Sequence, residues 1–444
     1  MLSHSNSVER RTVLEAKTLR KMGCNVLLLC RTLDDRPLVE MTDGLLVIHL
    51  PGKTRCKIPS AVLPMQEWIA KAISLIPLEA HCVPPGTRIS PPTYLQREPV
   101  DIPSDIFKVH FDVYPLNLWE AQVVELALAI GDIDVVHMHD FEALRPGIFV
   151  AKRLGIPTVF DVHEIWAYIP LFHDKIQNRA HIFNLEALFI PHCTQLVTVN
   201  KQFAEIIKRD YNYDRIGIFT NTTERPSGFD VRKRYDYIRT RVPIPHEHKI
   251  MLFVGNVSPL CNIDPLLIGM ATARPDLDMV FLTAGVYVPL YRELAAQLGI
   301  GNRVHFLDIV PWSEIPLWCA SADVGVMPYQ AISTSMRLSS PNNMYDFIAA
   351  ATPIIGSSEL VNVAEIVGGE GFGLLAPLRL PADYMKLIND MFDESLGGPE
   401  RFHKAMVEKG DKYLLDQEIR PFTTMYRTLL NSLNVELALQ QSRT

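Results

Sequence analysis

Two apolar runs in this chain end in histidines flanked by acids. DVVHMH (134–139) carries His137 and His139 with Asp140 directly after, and TVFD (158–161) continues so that Asp161, His163 and Glu164 follow one another in DVHE. Residues two apart on a strand share one face, so His137 and His139 project together. Histidine changes charge near neutral pH, which makes His139 a candidate cleft-facing donor or proton carrier. The same pair also reads as two histidines that close a strand and bond to backbone. His139, Asp140, His163 and Glu164 are all metal-ligating residue types. They lack the spacing of a metal motif such as HExxH, so no metal is expected.

A third stretch, SSPNNMYDFIAAATPIIGS (339–357), reads as a helix entry at Ser340, Pro341 and Asn342 with the apolar face Met344, Phe347 and Ile348 behind it. Unpaired backbone N–H groups and the helix dipole make such a start a seat for anions. Asp346, one turn in, is placed to accept hydrogen bonds from the paired hydroxyls of a ribose. It also reads simply as a favourable first-turn acid.

These residues need a scaffold, and the chain has the pattern for one. Short apolar runs alternate with segments of helical period, the signature of parallel βα units. In the first half NVLLLC (25–30), DVVHMH, TVFD and QLVTVN (195–200) read as strands, with helices over Val8 to Met22, Leu144 to Leu154 and Ile182 to Ile190. Residues 51–106 are irregular and proline-rich, with one amphipathic piece from Met65 to Ile76. After a polar break at 223–248 the rhythm restarts at KIMLFVG (249–255), DMVFLTAG (278–285), RVHFLD (303–308), DVGVMPY (323–329) and TPIIGS (352–357). Asp264 followed by Pro265 reads as a helix N-cap and first turn. The expected fold class is therefore α/β with two doubly wound parallel sheets. Ligands bind beyond the carboxyl ends of such strands, and two sheets facing one another are expected to form a cleft.

The 444 residues suffice for two large domains, and 48% hydrophobic with 21% charged residues excludes a disordered or coiled-coil chain. A net charge of −7 leaves no basic field for nucleic acid. No apolar run is long enough to span a membrane, and the N-terminus lacks a secretory h-region. Seven scattered cysteines without a CxxC pair suggest buried thiols in a reducing, cytoplasmic compartment. The triplets DID (132–134) and DLD (276–278) precede their strands and read as turn and strand-entry residues.

In order along the chain, these elements resemble the GT-B glycosyltransferases, specifically retaining glycosyltransferase family 4. HMHD is similar to the family's H-x-H-[DE] element, FDVHE (160–164) to its yDxHE element, and SSPNNMYDFIAAATP to its S-x-P-N-K-x-[FY]-E-[FY]-x-A-A-G-x-P element. Residues 276–329 look like the donor-domain core throughout. The resemblance implies an N-terminal Rossmann-like acceptor domain over 1–222, a donor domain over 223–416, and a C-terminal helix over 417–444 returning to the first domain. It implies transfer of a sugar from a nucleotide-diphosphate donor, with retention and without a metal or other cofactor, by a hexosyltransferase of polysaccharide biosynthesis. The partners implied are the nucleotide sugar and a glycan, lipid-linked or small-molecule acceptor. Trp68 and its apolar neighbours are a candidate peripheral contact with the inner face of a membrane, although a buried amphipathic helix is the more usual explanation of such a stripe.

On this resemblance His139, Asp140 and Glu164 are the catalytic candidates, with His139 on the reacting sugar or β-phosphate. Asn256, Arg337, Ser340, Pro341, Asn342, Asn343 and Asp346 are the donor-binding candidates. The departures from the family concentrate at the phosphate site. Asn256, Cys261 and Asn343 stand where basic residues are usual, Asp346 replaces a glutamate, Leu338 falls where some members carry an earlier glutamate, and Ala351 replaces a glycine. These substitutions raise the alternative of a catalytically degenerate GT-B protein that serves an active transferase as partner or scaffold. A non-transferring enzyme of the same architecture, such as an epimerase, is a third. The family's initial strand is expected to have no counterpart upstream of Ser7.

Overall fold

A computed structural model of the chain describes residues 1–3, 8–32, 37–52, 116–170 and 176–441. The Met65 to Ile76 piece, Trp68, Cys56 and Cys82 lie outside the described residues. The chain divides into two compact units. The first is Met1–His163 with Asn184–Val197 and Asp210–Ile216; the second is Glu164–Phe183 with Thr198–Arg209 and Gly217–Thr444.

The first sheet has eight strands: β1 (Leu2–Ser3), β2 (Leu27–Thr32), β3 (Leu38–Thr42), β4 (Leu45–Pro51), β5 (Val136–His139), β6 (Thr158–Val162), β7 (Gln195–Thr198) and β8 (Ile216–Ile218). Their order is β3-β4-β2-β1-β5-β6-β7-β8. β3 and β4 form an antiparallel hairpin, turning at Asp43 and Gly44 with φ of 54° and 75°. That is the type I′ geometry Asp-Gly favours. Pairing is parallel between β4 and β2, β2 and β1, β1 and β5, and β5 and β6. The expectation of no strand before Ser7 is corrected here. Leu2 pairs with both Leu29 and Met138, and Ser3 with His139, so two residues occupy the centre of the sheet.

The second sheet has six strands: β9 (Lys249–Val254), β10 (Leu277–Leu282), β11 (Val304–Leu307), β12 (Val324–Met327), β13 (Ile354–Ser357) and β14 (Gly373–Ala376). Every pairing is parallel, and the order β11-β10-β9-β12-β13-β14 is the 3-2-1-4-5-6 winding of a Rossmann sheet. Helices cover both faces, so its strands are mostly apolar rather than alternating, with Asp278 of β10 and His305 of β11 paired at 2.7 Å. Met251, Phe253, Met279 and Phe281 enter one core layer, and Ile250, Leu252, Val280 and Leu282 enter the other.

Two glycines bring helices close enough to fix the site loops. A Cβ on Gly147, in helix Asp140–Leu154, would lie 2.2 Å from the Met138 sulfur of β5. A Cβ on Gly325 of β12 would lie 2.5 Å from the Phe347 ring of helix Asn342–Ala350. In each unit the helix therefore rests directly on a strand beside the point where strand order reverses. One helix start differs from expectation. Asn262, at φ 53°, occupies the N-cap position of helix Ile263–Thr272, and Asp264 falls within its first turn. The tail folds as helix Leu415–Gln441, with Phe422 5.4 Å from Phe219 between ring centroids. No helix among the described residues is long and apolar enough to cross a membrane.

Candidate functional site

In the first unit strand order reverses between β1 and β5, and the histidine pair sits there. His139 is the last residue of β5, and Asp140 opens the following helix at φ 63°. A non-glycine residue in the left-handed region costs on the order of 1–2 kcal/mol. That sharp turn places the Asp140 carboxylate beside His163, with Oδ2 3.3 Å from Nδ1.

Behind this turn lies a buried polar nest. Arg11, from helix Arg10–Lys21, donates two hydrogen bonds to Asp161 at 2.6 and 2.8 Å. His139 Nδ1 and His163 Nε2 both face Asp161 Oδ2, at 3.3 and 3.0 Å, and lie 3.1 Å from each other. One turn along the same helix, Glu15 Oε2 is 3.3 Å from His137 Nε2 and 4.0 Å from His139 Nε2. The His137 and His139 rings stack at 15° with centroids 4.5 Å apart. On the open side, His163 Nδ1 is 3.1 Å from Glu9 Oε2.

The charge states follow from burial and neighbours. Burial, reinforced by the Asp161 charge, pushes the Glu15 carboxyl well above its ordinary range. Burial drives His137 well below its ordinary value and His139 down to about 4. Asp161 is buried too, but Arg11 and then His163 pull it well below the usual carboxylate range. The Asp140 and Asp161 charges outweigh burial at His163 and raise it well above 6.5. The nest therefore holds charged Arg11, Asp161 and His163 around neutral Glu15, His137 and His139. Two expectations for His139 are corrected by this geometry. Its side chain is enclosed rather than open to a cleft, and its low pKa keeps it neutral rather than titrating near pH 7. Glu164 is exposed just beyond β6.

Sequence reasoning did not reach Arg11, Glu15 or Glu9. All three lie at or in the first helix. Arg11 and Glu15, four apart, share the helix face that carries the apolar stripe, and a charged pair on that face was the available signal.

In the second unit the order reverses between β9 and β12. Ser340 Oγ accepts from Asn200 Nδ2 at 2.8 Å and Asn362 Nδ2 at 2.7 Å. Its carbonyl accepts from Asn221 Nδ2 at 2.8 Å, and Asn200 also donates to Leu338 O. Three asparagines thus pin the segment before helix Asn342–Ala350. Pro341 stands at the N-cap position with no side-chain cap, and Met344 N–H bonds back to its carbonyl at 3.1 Å. Asn342 is exposed there and Asp346 is buried one turn in.

Asn343 points inward. Its Nδ2 donates to Val254 O at the end of β9 and to the Tyr329 hydroxyl, at 3.1 and 2.9 Å. Cys261 is likewise buried, with its thiol 3.3 Å from Asn256 O. Asn256 and Arg337 are exposed. The structure thus gathers Ser340, Pro341, Asn342, Asn343 and Asp346 around one helix start. It gathers His139, Asp140 and His163 around the end of β5.

Comparison with known proteins agrees with this layout. Residues 79–222 match the family model Glycosyltransferase Family 4, and residues 248–394 match the model Glycosyl transferases group 1. The chain is 25% identical over 298 residues to D-inositol 3-phosphate glycosyltransferase of Thermomonospora curvata, covering 60% of this chain and 64% of that protein. It is 26% identical over 290 residues to D-inositol 3-phosphate glycosyltransferase 1 of Catenulispora acidiphila, covering 60% and 65%. The match thus spans somewhat under two thirds of the length of these relatives. Sucrose-phosphate synthase of Thermosynechococcus elongatus superposes with a TM-score of 0.65 at 14% identity, covering 97% of this chain and 99% of the other. Anabaena HepE in complex with UDP superposes with a TM-score of 0.63 at 13% identity, covering 97% and 98%. At these identities the structural likeness establishes the fold.

Proposed function

We propose, from the premise that this chain has the GT-B fold and resembles retaining glycosyltransferase family 4, that it is a glycosyltransferase moving a hexose from a nucleotide-diphosphate donor to a glycan, lipid-linked or small-molecule acceptor. The observation that carries the reading is the start of helix Asn342–Ala350, uncapped, pinned by Asn200, Asn221 and Asn362, and set at the carboxyl side of a 3-2-1-4-5-6 sheet. Such a start binds phosphate through its N–H groups and dipole without a cation. Transfer then proceeds with retention and without a metal at the diphosphate. Fixed N–H donors stabilise the departing charge, Asp346 holds the ribose hydroxyls, and Asn256 and Arg337 flank the phosphates. His139, Asp140 and Glu164 belong to the acceptor side. The enclosed His139, kept unprotonated at pH 7 by burial, positions Asp161 and His163 at the end of β5 rather than touching the sugar.

HepE has been solved with UDP and with UDP-glucose, so UDP-sugars are the first donors to test. The experiment is calorimetric titration of the full chain with UDP, GDP and ADP, followed by a donor-hydrolysis assay. One nucleoside diphosphate binds, and Asp346→Ala weakens it at least about 10-fold, the loss of one or more good hydrogen bonds. If none binds, the transferase reading fails. The scaffold reading then stands, and one observation favours it: Cys261 and Asn343, at positions where family 4 members usually carry cations, are buried and bonded inward.

A further inference from the structure

The open rim of the first unit's polar nest has the arrangement of a metal site. Glu9, just before the first helix, Asp140, at the left-handed turn after β5, and His163, after β6, converge there. One ligand atom from each lies within 4.8 Å of the others. His163 Nδ1 is 3.1 Å from Glu9 Oε2 and 3.3 Å from Asp140 Oδ2. Zinc bonds to such atoms are about 2.0–2.1 Å long, so tetrahedral ligands sit about 3.4 Å apart. The rim is already near that spacing.

The other ring nitrogen matters equally. His163 Nε2 lies 3.0 Å from Asp161 Oδ2, and Arg11 holds that carboxylate in place through two hydrogen bonds. A carboxylate behind a histidine fixes the tautomer and aims the opposite nitrogen at a metal. Here the nitrogen so aimed faces two carboxylates. The three side chains are 41%, 23% and 11% exposed, in the order Glu9, Asp140 and His163. A hydrated ion can therefore enter, and a fourth position is open to water.

The deeper group of Glu15, His137, His139 and Asp161 meets the same distance criterion but not the chemistry. Arg11 takes both Asp161 oxygens and brings a buried positive charge. We propose that Glu9, Asp140 and His163 bind one divalent transition-metal ion of the zinc class, with Asp161 orienting His163. This site is separate from diphosphate binding, which the proposed function assigns to the second unit.

The test uses the full chain, stripped with a chelator and titrated with Zn²⁺ in competition with a chromogenic indicator. One equivalent binds, and Glu9→Gln and Asp140→Asn each weaken it at least about 10-fold. Glu9→Gln alters an exposed residue, and circular dichroism confirms that it folds. Substitution with Co²⁺ provides a second readout, giving visible d–d bands without a thiolate charge-transfer band. The proposal is overturned by no stoichiometric binding below about 100 μM, by unchanged affinity in both variants, or by a thiolate band that assigns the metal to cysteines. UDP binding, measured on the same samples, stands or falls independently.

Discussion

The two units use the same winding to present opposite surfaces at the point where strand order reverses. In the first, the ends of β5 and β6 carry Arg11, Asp161 and His163 as buried charges around Glu15, His137 and His139. In the second, the corresponding place is lined with amides and hydroxyls: Asn200, Asn221, Asn362, Ser340, Asn343 and Tyr329. Buried charge is tolerated only when each member is compensated, so the first nest is coupled and intolerant of single changes. Neutral donors share no such penalty. They fix backbone and leave its dipoles to act on a ligand. On the proposed function, phosphate in the second unit is held by the backbone geometry of a helix start with Arg337 beside it, whereas charge in the first unit is a structural commitment.

The sharpest way to break that comparison is Arg11→Met. It leaves Asp161 buried and without its guanidinium, which costs about 3–5 kcal/mol. Hydrogen exchange resolved by peptide should show protection lost in β1, β5 and β6, with β9–β14 unchanged. The double variant Arg11→Met with Asp161→Asn should recover much of the loss. A single-variant loss under about 1 kcal/mol would mean the nest is not coupled.

Acid comes next. His139 has a folded pKa of about 4 against an ordinary 6.5, and His137 is displaced in the same direction. Between those limits the unfolded chain takes up protons the folded chain refuses, so stability falls as pH drops from 6.5 toward 4. His139 alone accounts for about 3 kcal/mol at the lower end. Glu15, raised by burial, opposes this, because the folded state keeps its proton to higher pH than the unfolded state. His137 and His139, the buried histidines with lowered pKa, both lie in the first unit. Urea midpoints followed unit by unit should therefore fall more steeply with acid in the first than in the second. Parallel curves would remove the contrast.

Asn256→Arg sharpens the comparison from the other side. It places a cation on an exposed loop after β9, in a region built from neutral donors. A charge-assisted hydrogen bond contributes about 1.5–3 kcal/mol, so UDP affinity should rise about 10- to 100-fold by calorimetry. An unchanged affinity would place the diphosphate away from this loop.

The sequence made some of this legible and hid the rest for physical reasons. Strands buried on both faces announce themselves as apolar runs, so β9–β13 and β5–β7 fall where the runs lie. β1 could not be seen, because two residues carry no periodicity and gain a strand only by pairing with β2 and β5. The β3–β4 hairpin had its Asp43–Gly44 signal but lay outside the βα rhythm. At the site, His139, Asp140 and Asp346 stood out by residue type and position. Arg11, Glu15 and Glu9 come from about 120 to 150 positions away in the chain, and only the packing of the first helix on the sheet brings them in. Asn343 shows the converse. Its position beside a helix start suggested an outward donor, and the unsatisfied Val254 carbonyl and Tyr329 hydroxyl turned it inward.

The smallest predicted effect concerns the helix whose start is the proposed phosphate seat of the second unit. Ala351 ends helix Asn342–Ala350 in the left-handed region, at φ 53° and ψ 35°. Its N–H still closes onto the last turn, bonding Ile348 O at 3.1 Å, and Thr352 N bonds Phe347 O at 2.9 Å. The turn is thus a complete C-terminal cap made by a residue with a Cβ, where glycine is usual. An L-residue pays about 1–2 kcal/mol for that conformation. Glycine removes the strain but adds freedom to the unfolded chain, worth about 0.4–1 kcal/mol the other way. Ala351→Gly should therefore stabilise the second unit by roughly 0.5–1 kcal/mol, read as a higher urea midpoint at unchanged slope. The first unit should not respond, because nothing in its charged nest depends on this cap. Destabilisation instead would show that the buried methyl of Ala351, packed in the layer with Phe347 and Ile348, contributes more than the backbone strain costs.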